Sequence, residues 1–156
     1  INNPKEQKIY NTKEKILAGE LILDPFIRGN VVEEWINSGW VKHCHARSVI
    51  PNNPLNICGK HSDGTVGRGI QYPFKKPNND EYHSLWEEKL LDPWKVCILK
   101  LMKYHAQDPK SKLGQISTEF IPNTDYGEGC KYSLFEQGVE CTKWMRNNWE
   151  KIKTET

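Results

Sequence analysis

Apolar residues recur at three- and four-residue intervals in some stretches of the chain and gather into short runs in others. Residues 2–17 are rich in Lys and Glu, with Ile9, Tyr10, Ile16 and Leu17 as their apolar positions. That spacing predicts an amphipathic surface helix closing at Ala18-Gly19. Val31, Val32, Trp35 and Ile36 predict a second helix over 31–37, ended by Ser38-Gly39. A short helix is expected within 81–91. Asp92-Pro93 then opens a strongly apolar helix to about Ala106, with Asp92 as N-cap and Pro93 at the first helical position. Asp108-Pro109 stops it. Ser133 with Glu136 three residues on is a capping box. The helix it opens carries Leu134, Phe135, Val139, Cys141, Trp144, Met145 and Trp149 as its sheet-facing stripe.

Three runs read as strands. Leu21-Ile22-Leu23 is stopped by Asp24-Pro25, because proline removes a ladder donor and biases the residue before it towards extended geometry. The second run is 40–46 and the third 114–120, cut off by Ile121-Pro122. Strands alternating with helices predict an α/β fold with parallel strands. On the second strand, the period of two puts His43, His45 and Arg47 on one face and Lys42, Cys44 and Ala46 on the other. From Ser48 to about His83 prolines and glycines break every pattern. An irregular loop of about 35 residues is more often a lid or binding loop than a spacer. Val66-Gly67-Arg68-Gly69-Ile70 within it lacks the remaining glycines and flanking elements of a dinucleotide fingerprint, which excludes that reading.

Composition narrows the class. With 156 residues, 37% hydrophobic and 27% charged, the chain is expected to form one globular domain over 1–156. A formal charge of +2 is too mild to argue for nucleic acid or an anionic membrane. No apolar run approaches the roughly 20 residues that span a bilayer. Five cysteines, odd in number and never in a Cys-x-x-Cys pair, argue for a reducing compartment, hence a cytoplasmic protein. The first residue is Ile1 rather than Met, which suggests a processed or partial chain.

The chemistry gathers at the ends of the predicted strands. Asp24 ends the first, His43 and His45 lie near the end of the second, and Glu119 near the end of the third. In parallel α/β folds these carboxyl ends share one edge, where ligands bind. Mixed nitrogen and oxygen donors of this kind suit Zn²⁺, Mn²⁺, Co²⁺ or Mg²⁺. Tyr72, Phe74, Trp86, Phe120 and Tyr126 lie near the expected mouth; core packing is the expected role for most of them.

The segments LILDPF, VKHCHARS, VGRGIQYPF and STEFIP follow one another in a way that resembles the last three β/α units of xylose-isomerase-like (β/α)8 TIM barrels. That superfamily contains sugar and sugar-phosphate isomerases, ketose 3-epimerases and abasic-site endonucleases. The resemblance runs from about Leu21 to Trp149 and implies the carboxyl-terminal part of a barrel. It implies Asp24, His45 and Glu119 as metal ligands, with Glu119 also moving a proton beside an enediolate. By the same resemblance His43, Arg28, Arg47 and Arg68 would contact a sugar substrate. Three strands of eight make a partial barrel, so the chain is expected either to belong to a longer protein with an amino-terminal half or to complete itself by homo-oligomerisation. Two alternatives stand beside this: a metal-dependent phosphodiesterase acting on abasic DNA, and a non-catalytic truncated barrel serving as an interaction module.

Overall fold

The computed structural model describes residues 12–50, 62–65, 71–82, 84–123, 126 and 129–155. Its elements run α1 (Thr12–Leu17), α2 (Val31–Asn37), β1 (His43–Ala46), a 3-10 turn (Glu88–Leu91), α3 (Asp92–Gln107), β2 (Gln115–Thr118) and α4 (Leu134–Glu155). The order is α/β. β1 and β2 pair in parallel, His43 opposite Gln115 through Ala46 opposite Thr118, with α3 in the crossover between them.

The alternation expected along β1 is present. Cys44 and Ala46 turn inward, and Ala46 is fully buried with Trp94, Ile98 and Met102 of α3 and Cys141, Met145 and Ile152 of α4. His43 and His45 lie on the opposite, exposed side. Two helices thus cover one face of the sheet and leave the other polar. Each large side chain removed from water in this layer contributes about 1.5–3 kcal/mol. A second cluster of Ile36, Leu101 and Leu113, with Val32 and Val41 against it, fastens α2 to α3.

The helix ends follow their side chains. Asn30 is buried, and its Oδ1 accepts from the backbone N–H groups of Val32 and Glu33, capping α2. Ser133 Oγ accepts from the Glu136 N–H at 3.2 Å, as the capping box predicts. The Glu136 carboxylate, however, turns out to Lys75 at 3.2 Å. α3 starts differently from the expectation: the 3-10 turn runs directly into it, so Asp92 already has helical φ and ψ, closes the turn with its N–H on Lys89 O, and is not the N-cap of α3. Leu91, fully buried at the junction, holds the chain in that tighter entry. Phe135, expected on the sheet-facing stripe, is exposed instead.

The first predicted strand is not one. Residues 20–24 form no ladder, and among the described residues the sheet has two strands rather than three. Ile22 gives its carbonyl to Val31 N at 2.9 Å, and Asp24 Oδ1 accepts from Phe26 N at 2.9 Å. This local turn around Pro25 uses backbone groups that a ladder would need. Leu23, Phe26 and Ile27 remain exposed along it, as do Trp35 and Trp40 nearby. No helix among the described residues is long and apolar enough to cross a membrane.

Candidate functional site

Parallel pairing brings the carboxyl ends of β1 and β2 side by side. Arg47 and Glu119 are the first residues past the paired ends, Ala46 and Thr118, and both turn to the side that holds His45. The side chains meet there. Glu119 Oε2 accepts from Arg47 Nη2 at 2.7 Å and lies 2.9 Å from His45 Nδ1, a pair 74 positions apart in sequence. Exposure falls steeply across this triad: the His45 side chain is 57% exposed, Glu119 26% and Arg47 15%. The guanidinium of Arg47 also stacks on Tyr126, its Cζ 3.8 Å from the ring centroid. Its Nε is buried and has no hydrogen-bond partner among the described residues.

His43 stands next to this group. Its ring lies edge-on to that of His45 with centroids 4.7 Å apart, and its Nε2 is 3.4 Å from Ser117 Oγ. Beneath the strand ends the far end of the long loop is threaded through the interior: Gln71, Tyr72 and Pro73 are fully buried. Gln71 Oε1 accepts from the Ile121 N–H at 3.2 Å, just past Glu119. Tyr72 N donates to Ser48 O at 2.8 Å, and Ser48 Oγ returns a bond to Tyr72 O. Both strand exits are therefore tied to one buried strap. Ser117 and Gln71 escape a reading by residue type: serine in a strand is unremarked, and Gln71 is a polar residue in a proline-rich stretch.

The residues predicted for the site divide into groups. His45, Glu119 and Arg47 are brought together, with His43 adjacent. Asp24 is not brought in: it sits in the exposed turn with its carboxylate bonded to Phe26 N, and among the described residues no three His, Cys, Asp or Glu side chains are grouped to hold an ion. Arg28 lies exposed in the same turn. Arg68 and the Gly67-Arg68-Gly69 segment fall outside the described residues. Burial pushes the Cys44 thiol up to about 11, with Cys97 nearby adding to the effect, and the Cys141 thiol up to about 12.

An imidazole nitrogen and a carboxylate oxygen 2.9 Å apart are compatible with neighbouring positions on one divalent ion, whose bonds to such donors are about 2.0–2.2 Å. A resident zinc centre takes at least three protein donors, and the described residues supply two together. The pair fits part of such a centre, not the whole of it. Compared with protein-family models, with characterised proteins and with solved structures, the chain matches none.

Proposed function

We propose that the chain carries the carboxyl-terminal share of a (β/α)8-type, divalent-metal-dependent sugar isomerase or epimerase site, with His45 and Glu119 as two of its ligands. The supporting observation is the meeting of His45 and Glu119 at the carboxyl ends of adjacent parallel strands, 74 positions apart in sequence and at a 2.9 Å separation. The remaining donors of such a centre come from outside the described residues, or from Asp24 in a different arrangement of its turn. A divalent ion held there would polarise a sugar carbonyl and lower the barrier to removing the neighbouring proton. Glu119 is suited to move that proton. It is partly exposed, lies on the polar face, and is oriented by two donors on one oxygen. His43, with Ser117 beside it, would meet substrate hydroxyls.

Calorimetric titration of the chain with MnCl₂ and ZnCl₂ tests the reading, paired with deuterium uptake by a panel of ketoses in D₂O. Saturable binding near one equivalent that is lost in both His45→Ala and Glu119→Gln supports it. A chain that binds neither ion, or binds equally after both substitutions, overturns it. A second reading, a non-catalytic barrel segment that engages a partner, draws on the exposed Trp35 and Trp40 and on a two-stranded sheet with no further partner strand among the described residues.

A further inference from the structure

Arg47 is a substrate contact by resemblance, yet its surroundings do not suit that role. Its side chain is largely buried, it pairs inward with Glu119 Oε2, and Tyr126 covers its face at 3.8 Å. Its Nε–H is buried and unpartnered among the described residues. The interactions that fix the guanidinium among the described residues are the ion pair and the stack. Both donors at the triad share a single oxygen. Arg47 Nη2 and His45 Nδ1 converge on Oε2, and neither of these bonds goes to Oε1.

We infer that Arg47 is a positioning residue: it anchors Glu119 by Oε2, and in the metal-free chain Glu119 in turn holds the proton on His45 Nδ1. The chemistry behind this is general. A carboxylate that accepts from one ring nitrogen of a histidine fixes the tautomer of the metal-free ring, and an ion shared by His45 and Glu119 would have to displace that proton. Without Arg47 the carboxylate is free to rotate and to offer either oxygen. The inference rests on the proposed site for the identity of the ligand, but the tautomer it predicts does not depend on any ligand.

Two measurements separate these. Long-range ¹H–¹⁵N NMR on the chain at about pH 8, where an ordinary histidine is neutral, reads which ring nitrogen of His45 carries the proton. His45→Ala assigns the resonance. Nδ1–H is expected to predominate in the wild type, with movement towards the Nε2–H form typical of free histidine in Arg47→Met and partial recovery in Arg47→Lys. Zn²⁺ affinity is expected to fall about tenfold or more in Arg47→Met, as for other residues that orient a ligand. A wild type with Nε2–H, or a tautomer unchanged in Arg47→Met, overturns the inference whatever the metal does. A wild type with the Nδ1–H form that fails to bind Zn²⁺ leaves the positioning role standing and removes the metal reading. Should Arg47→Met fail to fold, Arg47→Gln is measured in its place and carries the same expectation.

Discussion

Asn30 offers the most direct quantitative test of the fold that carries the site. It is fully buried and uses both ends of its amide. Oδ1 accepts from Val32 N at 3.1 Å and Glu33 N at 3.2 Å, while Nδ2 donates to Ile27 O at 2.7 Å and more weakly to Pro25 O at 3.4 Å. Asn30→Ala removes the helix cap, a loss of about 1 kcal/mol. It also leaves the Ile27 carbonyl without its donor, which costs about another 1 kcal/mol. Pro25 O keeps its bond from Lys100 Nζ at 2.7 Å, so it adds little. The expected destabilisation is about 2 kcal/mol. Asn30→Ser keeps a capping oxygen but has no donor at the place of Nδ2, and is expected to lose about 1 kcal/mol. Urea unfolding followed by far-ultraviolet circular dichroism, with the slope held common, measures both. A cost below about 0.5 kcal/mol for Asn30→Ala would refute the reasoning, since that is the range of an ordinary surface change. So would a serine variant no better than alanine, because the cap would then contribute nothing.

Burial and backbone geometry carry three further predictions. At pH 8 the thiolate fractions of Cys44 and Cys141, with thiols near 11 and 12, are about one in a thousand and one in ten thousand, so iodoacetamide should leave both unmodified in the native protein and modify them in urea; peptide mass mapping checks this, and rapid native labelling of Cys141 would contradict the packed α4 interface. Gly138 lies inside α4, where an added Cβ would make ordinary contacts with Phe120 Cδ2 at 3.8 Å and Thr118 Oγ1 at 4.0 Å, so Gly138→Ala should stabilise by up to about 1 kcal/mol. Gly39, at φ +66, should respond oppositely, with Gly39→Ala costing about 1 kcal/mol in the same urea assay.

The legible parts of the fold were those written in local periodicity. Val31–Asn37 forms with the expected bounds, α4 starts at its serine cap, and the alternation along His43–Ala46 sorts histidines from core residues. The meeting of His45 with Glu119 was legible too, because parallel strands bring their carboxyl ends together. The failure at 20–24 has a different cause. Three consecutive aliphatics favour an extended chain, but pairing depends on a neighbour that periodicity does not report, and here the Asp24 side chain turns the backbone first. Asp24 leaves the candidate site for that reason. The destination of Arg47 was illegible at the same level: alternation assigns its face, whereas the register beside Glu119 and the stack on Tyr126 assign its partners. Gln71 had no signal, since a buried amide that supports Ile121 is defined by tertiary structure alone.

The wide separation of β1 and β2 has a kinetic consequence. α3 and α4 are built from contacts a few residues apart and can form within microseconds, but β1 and β2, on either side of α3, join only after the chain closes on itself over some 70 positions. Loop closure grows slowly with length, by about 0.6 kcal/mol per doubling, yet it must be met before any ladder bond returns energy. The ion pair between Arg47 and Glu119 depends on that closure and is expected to form late in folding. A probe on that pair would time the completion of folding, and a mutation that slows strand closure would delay the appearance of the site without altering a single atom of it.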